Sequence, residues 1–108
     1  MPLPKNINVT EFLERQKSNP DLVIIDVRDE EKWEEGHIPG AIHVHKSTIE
    51  KEIGSVIPDK NAEIFCHCGG GQSGARAAES LSKLGYKNVA VIEGGFRSYK
   101  SSGAPVKK

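Results

Sequence analysis

The apolar residues of this chain gather into short runs separated by longer amphipathic stretches. Leu22-Val23-Ile24-Ile25, Ala41-Ile42-His43-Val44, Ile64-Phe65-Cys66-His67 and Val89-Ala90-Val91-Ile92 are four such runs. The first is continuous and largely β-branched, the mark of a parallel strand covered on both faces, and Val89 to Ile92 reads the same way. Between the strands, apolar positions recur at helical spacing. Asn8 with Glu11 three residues on predicts a capped helix start, with Ile7 and Phe12 as the staple across it. That helix runs to about Lys17 and is ended by Ser18-Asn19-Pro20. Asp29 to Glu35 predicts a short, solvated acidic helix stopped by Gly36, and Ser47 with Glu50 predicts a cap for a helical turn through Ile53. The longest helix is expected from Ser73 to Leu84, with Ala77, Ala78, Leu81 and Leu84 on one face and Gly85 just past its end. Phe96 to Ser101 closes the pattern with a last short helix. Strands alternating with helices imply an α/β domain built on a mainly parallel sheet. One domain is expected over residues 1–108, with a loose tail from Gly103 to Lys108.

Composition narrows the function. The chain has 108 residues, enough for a single core without staples. Its 15 basic residues match its 15 acidic ones, so no basic face is implied and nucleic acid is not an expected partner. No stretch approaches the length of a membrane span, and the N-terminus has no apolar core of signal-peptide length. The two cysteines, Cys66 and Cys68, lie too close in sequence for an unstrained disulfide. They read as thiols in a reducing compartment, and the expected location is the cytoplasm. No interface is implied, so a monomer is expected.

The candidate chemistry lies between the third apolar run and the longest helix. Cys68 opens the run Cys68-Gly69-Gly70-Gly71-Gln72-Ser73-Gly74. Glycines let the backbone fold tightly and turn several N–H groups toward one point, and the helix behind adds its positive end. A thiolate there is stabilised and becomes a ready nucleophile. The N–H groups of Gly69, Gly70, Gly71, Gln72, Ser73 and Gly74 are the candidate anion site. A plain tight turn is the alternative, but three successive glycines directly after a cysteine favour the cradle. In an open parallel sheet ligands bind beyond the carboxyl ends of strands, where Cys68 falls. Period-two alternation puts Cys66 inside the strand as a small buried hydrophobe.

These motifs, in this order, resemble the rhodanese, or sulfurtransferase, family. The resemblance rests on Asp26-Val27-Arg28 after the first buried strand and on Trp33-Glu34-Glu35-Gly36-His37-Ile38-Pro39-Gly40-Ala41. It rests further on Cys68 with Ala77-Ala78 nine and ten residues later, on Gly85-Tyr86-Lys87-Asn88-Val89, and on Glu93-Gly94-Gly95-Phe96. It implies a rhodanese-like three-layer α/β domain, with a central, mainly parallel five-stranded sheet and helices on both faces. It also implies an activity: the Cys68 thiolate takes the outer sulfur of a small anionic donor such as thiosulfate. The resulting persulfide passes that sulfur to cyanide, a thiol or a protein, with no metal and no cofactor. Many members carry Arg at the fifth loop position after the cysteine, where this chain has Ser73. Anion binding would then rest on amides and the helix dipole, with Arg76 as a possible contact.

Other readings are weaker. A cysteine phosphatase or arsenate reductase needs an Arg after five intervening residues to clamp an oxyanion, and that position is Gly74. A non-catalytic binding module has no need of the cysteine. Asp26 and Arg28 read as a buried pair fixing loops rather than as an acid–base couple, and His37 as a partner of loop backbone. Trp33 reads as a packing aromatic. His43 and His45, two apart, have a spacing that a metal could use, but Cys-x-Cys lacks the usual two-residue gap and no second knuckle follows.

Overall fold

Alternation along the strands decides which side chain goes to which face of the sheet. A computed structural model describes residues 5–67 and 72–108, with backbone alone for 72–74. In chain order the elements are β1 (Lys5–Ile7), α1 (Val9–Ser18), β2 (Val23–Asp26), α2 (Glu30–Glu35), β3 (Ile42–His43), α3 (Ile49–Val56), β4 (Glu63–His67), α4 (Gln72–Lys83), β5 (Asn88–Ile92) and α5 (Gly95–Ser101). The five strands form one sheet of order β1-β5-β4-β2-β3, every pair parallel. The strand β1 lies within a stretch whose pattern predicted no strand. It is three residues long, and only Ile7 of the three is buried, so it carries almost no periodic signal.

Ile25, Ile64, Cys66, Val89 and Val91 point to one face, where Ile49 and Ile53 of α3 and Ala77, Ala78 and Leu81 of α4 cover them. Ile24, Phe65 and Ile92 point to the other, against Phe12 of α1 and Phe96 and Tyr99 of α5. Three layers follow from this division. The ring of Phe12 meets Phe65 and Tyr99 edge-on, at centroid separations of 5.3 and 6.2 Å.

The helix ends show local chemistry at work. The Asn8 side chain accepts the Glu11 N–H at 2.8 Å, as the spacing predicts, and Ile7 and Phe12 are both buried beside it. The start of α3 differs from expectation. Its N-cap is Thr48, whose hydroxyl donates to Glu52, while the Ser47 hydroxyl turns to His45. Side-chain partners nearer than Glu50 claimed Ser47 first. The end of α4 is a Schellman motif: Tyr86 N–H bonds Leu81 O and Gly85 N–H bonds Ser82 O, each at 3.1 Å. That closure leaves Leu84 at the C-cap and 41% exposed, so it does not share the buried face with Leu81 as its spacing predicted. The tail is largely exposed; His37 and Lys107 exchange two backbone hydrogen bonds at 2.8 Å and Tyr99 donates to Pro105 O at 2.6 Å.

Candidate active site

The chain leaves β2 toward β3 on one side and leaves β4 toward β5 on the other. Such a reversal opens a crevice at the carboxyl ends of the two adjacent strands. Asp26 and His67 are the last residues of β2 and β4 and face each other in register. The residue after His67 is Cys68. Cys68, Gly69, Gly70 and Gly71 lie outside the described residues. The description resumes at Gln72, where α4 begins, so Gln72, Ser73 and Gly74 form that helix's first turn. Backbone N–H groups of a first turn have no partner within their helix, and over 12 residues α4 is long enough to present a positive end.

At the end of β2, opposite the end of β4, lies a buried ion pair. Arg28 donates to Asp26 through Nε, at 3.0 Å to each carboxylate oxygen, and through Nη2 at 2.7 Å. Asp26 is fully buried and Arg28 nearly so. Burial alone would raise the pKa of Asp26. The Arg28 hydrogen bonds and the His67 ring more than offset it, and the carboxyl is held below its ordinary value. Arg28 also donates to Gly36 O at 2.6 Å and lies over the Phe96 ring, its guanidinium carbon 4.1 Å from the centroid. One guanidinium therefore ties the end of β2 to the loop after α2 and to α5. The loop-fixing reading of Asp26 and Arg28 matches this geometry. Phe96 reaches its position because Gly94 has φ +74°; a Cβ there would fall 1.8 Å from Ser98 Oγ.

The histidines are each engaged. His37 donates Nδ1–H to Trp33 O at 2.9 Å, a backbone bond as expected, and its ring stacks on Trp33 at 3.6 Å. Trp33 is half-buried and also stacks near His43, at 5.1 Å. His43 donates Nε2–H to Arg28 O at 2.7 Å. His45 donates Nε2–H to Asp29 at 2.7 Å, and its Nδ1 accepts from Ser47. His43 and His45 thus turn to different partners. Among the described residues no three His, Cys, Asp or Glu side chains gather as a metal site.

Cys66 is fully buried among the aliphatic side chains under α3 and α4. Burial pushes its thiol up to about 12. A thiol so placed stays protonated and inert at neutral pH.

Arg76, one turn into α4, is exposed and shares a pocket of about 250 Å³ with Lys46, Ile49, Ala77 and Ser80. Lys46 was not among the residues the motifs singled out. It follows β3 as Arg28 follows β2, so reading every strand end for charge would have found it. Its backbone N–H bonds Val27 O at 3.3 Å, and Val27 N–H bonds His67 O at 3.1 Å. Lys46 therefore stands at the same carboxyl edge of the sheet as the end of β4.

The chain is similar to several known proteins. Over 86% of its length the chain is 32% identical to YrkF of Bacillus subtilis, which is named as a sulfur carrier. It spans only 49% of that protein. It is 35% identical over 75% of its length to the thiosulfate sulfurtransferase GlpE of Coxiella burnetii, of which it spans 74%. It is also 34% identical over 81% of its length to the dual specificity phosphatase Cdc25 of Arabidopsis thaliana, of which it spans 67%. A rhodanese-like domain protein of Staphylococcus aureus has the same fold, with a TM-score of 0.83 at 28% identity, covering 96% of this chain and 99% of that one. The profile of the rhodanese-like domain matches residues 8–102, and with the parallel sheet and the cysteine after its central strand the chain belongs to the rhodanese-like domain family.

Proposed function

We propose that this chain is a sulfurtransferase that carries a sulfane sulfur on Cys68. The Cys68 thiolate attacks the outer sulfur of a donor such as thiosulfate. The sulfur–sulfur bond of the donor breaks, sulfite leaves with the bonding pair, and a persulfide stands on Cys68. A thiol, a protein or cyanide then removes that sulfur. The step needs a thiolate and a site for negative charge. The amides of residues 69–74 are the groups proposed for that site, with α4 adding its dipole. Asp26 and Arg28 move no proton in this scheme; they brace the floor beneath it.

The observation that carries the reading is the frame around Cys68. It is the first residue past β4 at the reversal of strand order, and α4 starts four positions later at Gln72. The competing thiol, Cys66, is withdrawn by burial. Relatives named for thiosulfate sulfurtransfer and sulfur carriage support the same chemistry.

The test is intact mass after thiosulfate treatment. We expect one added sulfur, lost on adding cyanide. Cys68→Ser abolishes the adduct and the turnover, whereas Cys66→Ser keeps most of both. An adduct that survives in Cys68→Ser and vanishes in Cys66→Ser would overturn the assignment. The relative named as a phosphatase favours one rival, hydrolysis of phosphate esters. Gly74 at the position where such an enzyme needs Arg argues against it. Release of phenolate from an aryl phosphate, without a sulfur adduct, would decide for that rival.

A further inference from the structure

We infer that the pocket between α3 and α4 is a binding subsite for organic anions, and that it selects sulfur acceptors carrying a carboxylate or sulfonate. This inference rests on the persulfide reading of Cys68. The pocket brings together two cationic side chains from different elements, Lys46 ahead of α3 and Arg76 on α4. Among the described residues lining it none is acidic. Neither cation is within ion-pair distance of a carboxylate among the described residues, although Asp29 feels Lys46 at longer range. The floor is apolar, formed by Ile49 and Ala77, and Ser80 adds a hydroxyl.

Size and polarity name the ligand class. At about 30 Å³ for each water-sized group, the roughly 250 Å³ pocket has room for about eight. Thiosulfate, with about five heavy atoms and no apolar part, neither fills it nor uses the floor. A short thiol with an anionic head fits within it and uses the floor: the head reaches Lys46 and Arg76, and the methylenes lie on Ile49 and Ala77. Its thiolate attacks the outer sulfur of the Cys68 persulfide. The bond from that sulfur to Cys68 Sγ breaks, Cys68 leaves as thiolate with the bonding pair, and the sulfur departs on the acceptor as a persulfide. One sulfur–sulfur bond forms as one breaks, so no outside oxidant or reductant enters.

The experiment compares two acceptors of equal chain length, 3-mercaptopropionate and neutral 3-mercaptopropanol, with thiosulfate as donor and the full chain as enzyme. The readout is the ratio of their kcat/KM values. In Lys46→Gln/Arg76→Gln we expect the anionic-over-neutral ratio to fall roughly ten-fold. Lys46→Arg keeps the wild-type ratio. Raising ionic strength lowers the ratio in wild type but hardly in the double variant. An equal ratio in wild type and double variant overturns the subsite. Should thiosulfate leave no sulfur on Cys68, the persulfide reading fails by itself. Binding of unreactive 3-(methylthio)propionate to wild type and double variant, measured by NMR titration, then still decides whether the pocket takes organic anions. Equal affinity for both would sink it.

Discussion

At the scale of single residues, the Asp26–Arg28 pair carries more structural consequence than any other polar contact among the described residues. It joins three segments while fully or nearly fully withdrawn from water. Removing one partner of such a pair leaves a buried charge unanswered, at a cost of about 3–5 kcal/mol. Asp26→Asn is expected to lose that much at neutral pH by denaturant unfolding. The pH dependence follows from the depressed carboxyl. Stability from a lowered Asp is fully present above the unfolded value, near 3.8, and is lost as pH falls through the lower folded value. Wild type should therefore weaken on acidification below about pH 4, and Asp26→Asn should show a shallower slope there. Equal slopes in the two proteins would mean that Asp26 does not carry the acid sensitivity. The pair itself was legible in Asp26-Val27-Arg28, and so was its bracing role. The contact from Arg28 to Gly36 and Phe96 was not, because it joins residues distant along the chain.

At the scale of elements, sequence pattern and structure agree where one local signal dominates. The α1 start, the α2 stop at Gly36 and the run of Ala77, Ala78 and Leu81 were all readable. They diverge where two local partners compete, as at Ser47, or where an element is too short for a period to show, as at β1. The Schellman end of α4 is a sharp test of local cause. Gly85 has φ +99°, and a Cβ there would meet nothing within 4 Å. Any loss in Gly85→Ala is then backbone strain alone, about 1–2 kcal/mol. We expect the melting temperature to fall by roughly 5–10 °C. A neutral or stabilising effect would show that the turn relaxes into another conformation. Leu84, pushed outward by the same closure, should tolerate polar substitution, since 41% of it is already exposed.

At the scale of the whole molecule, the sheet separates two cores that share a backbone but few side-chain contacts. Ile53 belongs to one face and Phe12 to the other. Ile53→Val should cost about 0.5–1.5 kcal/mol, and Phe12→Leu a similar or larger amount. Because the sheet stands between them, the double variant should lose the sum within about 0.5 kcal/mol by chemical denaturation. A larger departure would show that strain passes through the sheet. The same separation bears on function. The pocket of Lys46 and Arg76 and the buried Cys66 lie on the α3–α4 face, whereas Phe96 packs on the opposite one, and the two faces meet at the carboxyl edge after β2 and β4. Continuous, β-branched runs of apolar residues are enough to specify parallel strands, because only a strand covered on both faces can bury such a run. A cysteine followed by glycines before a helix is enough to propose a chemistry, because thiolate stabilisation needs only neighbouring amides. Strand order, the convergence of Arg28 on Gly36 and Phe96, and the pairing of Lys46 with Arg76 are of another kind. They depend on which distant segments pack together, and packing free energy belongs to the assembled sheet rather than to any stretch of the chain.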